Sequence, residues 1–168
     1  LLGTWQPEFH VELFGDSPLT DPQIVDEFVG FLIKSSDGLD GVTNSFTTTY
    51  PPGMDFLVYR GEALRKVDRM LGAADPLREH AGYNLSRFPG LFKIRSLEAP
   101  DYFYDPNTYL EVDTLEDFEV ISRVVEHFNE RGSTHFGLGE ILSFLHSNPE
   151  LAEHNRSIER RWKKLRDD

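Results

Sequence analysis

The sequence predicts an α/β fold. Strand-like and helix-like apolar patterns alternate along the chain, and most changes between them are marked by a cap or turn residue. Apolar residues make up 39% of the 168 positions and aromatics 12%, enough to bury a core. The length fits one domain, at roughly 100–200 residues per domain. With 17 basic and 29 acidic residues the net charge is −12, which repels phosphodiester backbones and anionic lipid heads. A nucleic-acid or membrane-surface partner is therefore not expected; basic side chains gather only in the last ten residues. The absence of cysteine excludes disulfides, thiolate zinc sites and thiol nucleophiles. No apolar run approaches the roughly 20 residues of a membrane span, and no basic signal-peptide region opens the chain, so a cytoplasmic protein is expected.

The elements follow in order. Phe9, Val11, Leu13 and Phe14 form a strand pattern that runs into the turn Gly15-Asp16-Ser17-Pro18. Asp21 is a good N-cap with Pro22 at the first helical position, and Ile24, Val25, Phe28, Phe31 and Leu32 make one apolar stripe ending near Ser35 to Gly38. Residues 39–54 read as a Thr-, Gly- and Pro-rich loop, and Phe56 to Tyr59 as a strand. Ala63, Val67 and Met70 mark a short helix that stops at Gly72, and Asp75-Pro76 starts another around residues 76–88. Phe92, Ile94 and Leu97 are a strand, Pro100 to Pro106 an acidic, aromatic loop, and Tyr109 to Val112 a further strand ending at Asp113. Thr114 with Asp117 is an acidic capping box, and Phe118, Ile121, Val125 and Phe128 keep helical spacing as far as Arg131-Gly132. Phe136 to Leu145 is another helix, Asn148-Pro149 restarts the chain, and Ser157 to Arg166 closes it as a basic, amphipathic helix around Trp162.

Two strand ends carry the candidate chemistry. Asp16 and Asp113 each stand where an apolar strand stops and a helix is about to start, and ligands of α/β sheets gather at that carboxyl edge. If the two strands run the same way, the carboxylates converge. A carboxylate pair completed by water and phosphate oxygens suits magnesium, which would bridge a nucleoside triphosphate. The structural alternative stays open: Asp16 supports a turn and Asp113 favours the start of a helix. Other sites find no pattern. The six histidines, His10, His80, His127, His135, His146 and His154, lack paired metal spacing. Ser17 has no GxSxG around it, and Gly132, Gly137 and Gly139 do not follow a strand as a dinucleotide fingerprint does.

Several short motifs, taken in order, resemble a family. Phe14-Gly15-Asp16-Ser17-Pro18-Leu19 followed by Asp21-Pro22, then Tyr50-Pro51-Pro52-Gly53-Met54-Asp55, are similar to two segments of the cytidylyltransferases related to spore coat polysaccharide biosynthesis protein F, cousins of the CMP-sialate and CMP-KDO synthetases. Arg78-Glu79-His80, Phe92-Lys93-Ile94-Arg95, Val112-Asp113-Thr114-Leu115-Glu116-Asp117-Phe118, Asn148-Pro149-Glu150-Leu151 and the Asn155 to Trp162 stretch continue the resemblance over nearly all of the chain. It implies a GT-A-like sheet layered by helices and transfer of a cytidylyl group from CTP to a sugar or sugar-like acceptor in cell-surface polysaccharide biosynthesis. By the same match Asp16 and Asp113 hold magnesium, and Ser17, Asn44, Tyr50, Gly53, Asp55, Arg78, Glu79 and His80 bind substrate.

The departures are informative. Nothing here matches the family's glycine-rich, basic phosphate loop, so the resemblance implies that residues 1–168 are the C-terminal portion of a single domain, with residues 137–168 as C-terminal helices. Such a portion lacks the N-terminal nucleotide-binding strands and should bind CTP poorly alone. The strand of residues 9–14 would be left as a sheet edge, which implies a homodimer, a chain that supplies the missing strands, or rearrangement near residues 1–15. Leu57 stands where the family has a glutamate, Ala81-Gly82-Tyr83-Asn84 where it reads VTPY, and Leu115 where it has proline. These changes keep a second reading open, a non-catalytic relic or a sugar-binding or assembly domain that retains the fold.

Overall fold

The computed structural model describes residues 6–75 and 82–160. Four strands form one sheet in the order β1 (Phe9–Leu13), β3 (Phe56–Arg60), β2 (Gly41–Thr43), β4 (Ile94–Ser96). β3 is antiparallel to both of its neighbours, while β2 and β4 are parallel. It follows that β1, β2 and β4 run the same way and deliver their carboxyl ends to one edge. β1 itself is an edge strand, paired only on its β3 side among the described residues.

The central strand explains the layering. Phe56, Leu57, Val58 and Tyr59 are all buried, because the pleat sends alternate side chains into two different apolar layers. Phe56 and Val58 join the larger cluster, with Ile24, Phe28 and Leu32 of α1 (Pro22–Lys34), Val120, Ile121, Val124 and Phe128 of α4 (Leu115–Glu130), and Leu138, Ile141, Leu142 and Leu145 of α5 (Leu138–Ser147). Leu57 and Tyr59 join the smaller one with Ala63, Leu64 and Val67 of α2 (Gly61–Met70), Leu85 of the single turn α3 (Tyr83–Ser86), and Phe92. A last short helix, α6 (Pro149–Glu153), follows α5 directly. Among the described residues no helix is long and apolar enough to cross a membrane.

The local signals that were strongest hold. Asp21 caps α1 with Pro22 at its first position, and Thr114 and Asp117 form the reciprocal capping box of α4. Four expectations are corrected. The stretch 39–54 is not all loop, since Gly41–Thr43 is β2, held between two neighbours. Tyr109 to Val112 is not a ladder strand: Leu110 and Val112 donate their N–H groups to Pro52 and Asp16 in loops, at 2.7 and 2.8 Å. The strand around Phe92 to Leu97 shortens to Ile94–Ser96. Residues 157–160 are turn and irregular backbone rather than the start of a helix, and the remainder of that stretch lies outside the described residues. Of the helix expected around residues 76–88, residues 76–81 also lie outside, and Tyr83–Ser86 is one helical turn.

Candidate functional site at the carboxyl edge of the sheet

The loops that leave β1, β2 and β4 meet at the shared edge, together with the residues that enter β3. After β1 the chain turns sharply, with the Ser17 N–H donating to the Phe14 carbonyl at 3.1 Å and the Thr20 hydroxyl donating to the Ser17 carbonyl at 2.9 Å. Ser17 is buried, and its hydroxyl donates to Asp16 Oδ1 at 3.2 Å, while Asp16 itself is exposed. The segment 110–113 then crosses this edge. Its Leu110 N–H binds the Pro52 carbonyl and its Val112 N–H binds the Asp16 carbonyl, so the exposed Asp113 is next to the residue that pairs with Asp16. The structure thus brings the backbone segments of the two aspartates side by side.

Gly53 makes that crossing feasible. Its φ is +96°, and a Cβ there would sit 2.3 Å from the Leu110 carbonyl carbon, so only glycine allows the 50–54 loop and the 110–113 segment to touch. Tyr50 anchors the same loop: its ring is buried against Phe28 and Phe103, at 6.4 Å from each. Burial, reinforced by the negative charge of Glu27 and by Tyr102, pushes the Tyr50 phenol up to about 12. Asn44 is buried too, donating to the Met54 carbonyl at 2.7 Å and accepting the Phe56 N–H at 3.0 Å. Its amide therefore fixes the backbone that enters β3. Asp55 is half-buried in that stretch.

Arg78, Glu79 and His80 lie outside the described residues. The chain returns at Gly82, whose N–H donates to Glu12 Oε2 at 2.8 Å, the oxygen that also accepts the Tyr59 hydroxyl at 3.3 Å. Gly82 is packed so closely that a Cβ would meet Glu12 Oε2, Leu57 and Tyr59. Leu57, in the position where the resemblance expects a glutamate, faces the smaller apolar cluster and is 3% exposed.

As a donor set the two aspartates fit magnesium. They are hard oxygen ligands on adjacent exposed backbone, and among the described residues no group of three or more His, Cys, Asp or Glu side chains is arranged to hold a metal. Hard oxygen donors are what magnesium takes, with waters and phosphate oxygens completing its shell.

Sequence reasoning missed the polar cluster behind this edge. Asp117 is fully buried and accepts both terminal nitrogens of Arg160, at 2.6 and 2.7 Å, and the Asn155 amide at 2.7 Å. Burial alone would raise the Asp117 pKa, but the hydrogen bonds from Arg160, Asn155 and Thr114 and the Arg160 charge outweigh it and hold the carboxyl below its usual range. The spacing of Thr114 and Asp117 gave the local half of this cluster. Arg160 belongs to the basic stretch that the sequence predicts as an amphipathic helix, and no sequence signal ties it to Asp117.

A four-stranded mixed sheet between helical layers, with the backbone segments of Asp16 and Asp113 side by side at one edge, defines an α/β protein. The chain is similar in structure to a cytidylyltransferase from Leptospira borgpetersenii serovar Hardjo-bovis (strain JB197), with a TM-score of 0.81 and 25% identity over 95% of this chain and 64% of that one. In sequence it is 26% identical to the spore coat polysaccharide biosynthesis protein SpsF of Bacillus subtilis (strain 168) over 147 residues, which are 88% of this chain and 58% of SpsF. It is 28% identical over 149 residues to an uncharacterized protein of Methanocaldococcus jannaschii, covering 88% of this chain and 57% of that protein. No family model matches the chain. These likenesses establish a relationship to the cytidylyltransferases, and the chain spans somewhat over half the length of the curated relatives it matches.

Proposed function

We propose that this chain forms the acceptor side, and carries the metal carboxylates, of a magnesium-dependent cytidylyltransferase that transfers a cytidylyl group from CTP to a sugar or sugar-like acceptor for cell-surface polysaccharide. The observation that carries the reading is the hydrogen bond from the Val112 N–H to the Asp16 carbonyl, which sets Asp16 beside Asp113 at the carboxyl edge. The relationship to a cytidylyltransferase of known structure and to SpsF supports it. Asp16 and Asp113 would hold magnesium, which supplies charge neutralisation on the triphosphate. The rest of the work is positioning. An acceptor hydroxyl oxygen forms a bond to the α-phosphorus as the bond to the bridging oxygen of the β-phosphate breaks; pyrophosphate leaves and the hydroxyl proton passes to solvent.

Within this reading the Tyr50 to Asp55 loop, packed against residues 110–111 at Gly53 and anchored by the buried Tyr50 ring, forms one wall of the acceptor site, with Ser17 and Asn44 shaping its floor through the backbone they fix. The resemblance assigns Arg78, Glu79 and His80 to the acceptor as well, where Arg78 would pair with a carboxylate or phosphate and His80 with a hydroxyl. Because the reaction consumes CTP, this reading keeps the cytoplasm as the compartment. One observation favours a second reading, in which the fold persists as a sugar-binding or assembly domain without turnover. Leu57 turns into the smaller core, where it offers nothing to a polar acceptor.

Binding separates the two. Mn2+, as a paramagnetic surrogate for magnesium, is titrated into the chain and its Asp16→Asn and Asp113→Asn variants, followed by calorimetry with CTP. The proposal expects each variant to weaken the metal at least ~10-fold, since each removes one of two protein ligands. Metal and CTP binding indifferent to both substitutions removes the assignment.

A further inference from the structure

We propose that Arg160 is a positioning residue for the Asp113 carboxylate, acting through Asp117; this rests on the metal reading of Asp113 given above. The two oxygens of Asp117 are shared between the guanidinium and the Asp113 turn. Oδ2 accepts one Arg160 nitrogen at 2.7 Å, the backbone N–H of Asp113 at 3.1 Å, the backbone N–H of Thr114 at 3.0 Å and the Thr114 hydroxyl at 3.0 Å. Oδ1 accepts the other Arg160 nitrogen at 2.6 Å and Asn155 at 2.7 Å. The carboxylate that receives Arg160 therefore also holds the peptide of the residue assigned to the metal.

The opposite end of the segment is gripped by the same residues. The Asn155 amide donates to the Tyr109 carbonyl at 3.2 Å, the guanidinium lies 4.3 Å from the Tyr109 ring centre, and it is 3.5 Å from Glu111. Exposure is 0% for Asp117, 2% for Arg160 and 1% for Asn155, so solvent does not compete for these contacts. Stability alone does not account for the arrangement. Desolvating two charges offsets most of their attraction, and a well-packed apolar pair would fill the same space at no loss. An apolar pair would, however, leave the N–H groups of Asp113 and Thr114 without their acceptor. What the ion pair adds is a fixed backbone direction at Asp113, set by a residue from the far end of the chain.

The test uses the whole chain with two readouts, amide hydrogen exchange at Asp113 and Thr114, and Mn2+ affinity by electron paramagnetic resonance. Arg160→Lys keeps the charge and removes the two-pronged grip; Asn155→Ala is the milder variant should the first fold poorly. Leu145→Ala, which opens a cavity in the larger core, is the control for lowered stability. Expected are faster exchange at Asp113 and Thr114 with unchanged exchange inside α4, and Mn2+ affinity weakened about 10-fold, while Leu145→Ala binds Mn2+ as the parent chain does. The proposal is overturned if exchange at the two amides does not change, or if it accelerates while Mn2+ affinity holds. A loss of affinity equal to that of Leu145→Ala overturns it as well. An Asp113→Asn chain that binds Mn2+ normally refutes the metal reading itself, and that variant alone tells the two failures apart.

Discussion

Asp117 accepts six hydrogen bonds from protein donors, four on Oδ2 and two on Oδ1, and pH exposes what they contribute. Its folded pKa is depressed below the ordinary 3.8, so the folded state favours the ionised form more than the unfolded chain does. A depressed carboxyl contributes stability that is complete above the unfolded value and disappears as pH falls through the folded one. The urea midpoint should therefore hold from neutral pH to about 5 and decline steeply below about 4. Asp117→Asn should remove part of that acid limb and, by leaving the buried Arg160 without its counter-charge, cost about 3–5 kcal/mol near neutral pH. A variant with the parent's acid profile and midpoint would mean that the pair contributes nothing to folding. Legibility at this scale follows sequence distance. Thr114 and Asp117, three positions apart, could be read as a box because a helix N-terminus dictates the spacing. Nothing local ties Asp117 to Arg160, so the partner emerged only from the fold.

One side chain links the starts of two helices. Asp21 Oδ1 accepts the Gln23 N–H at the start of α1, and Oδ2 accepts the Leu138 N–H at the start of α5, both at 2.8 Å. The residue before α5 is Gly137, which has no side chain to cap with, and a Cβ there would approach Asp21 Oδ2 to 2.8 Å. The glycine thus admits a cap borrowed from another element. Asp21→Ala should uncap both helices and cost about 2 kcal/mol, against about 1 kcal/mol for Thr114→Ala at the single cap of α4. Urea unfolding of the two variants decides it, and equal losses would remove the shared cap. The sequence showed only half of this device, because Asp21-Pro22 announces its own helix and says nothing of Leu138. Strands were harder still. Gly41-Val42-Thr43 has no strand signature and becomes β2 because β3 and β4 flank it, whereas Tyr109 to Val112 has the signature but spends its N–H groups on two loops.

Across the whole molecule, the alternation of elements made the α/β class readable, while the reversal of β3 did not, since a buried run such as Phe56 to Tyr59 looks the same in either direction. Three strands nevertheless share a carboxyl edge, and that edge lies in the field of a chain with a net charge of −12. A field of that sign draws in divalent cations and holds off free polyphosphate. It acts over distances comparable to the Debye length, about 10 Å at 0.1 M salt, so it can be titrated away. Mn2+ affinity should fall several-fold between about 20 and 200 mM potassium chloride, and CTP should give no binding heat in a chelator at the lower salt. Restoring magnesium should bring up weak nucleotide binding, limited by the absent phosphate loop, because the cation cancels charge on the phosphates before they meet the acidic surface. Metal affinity that is flat with salt would mean that the two aspartates act through direct coordination alone, and CTP binding equally well without metal would remove the electrostatic case for a metal-bridged nucleotide at this edge.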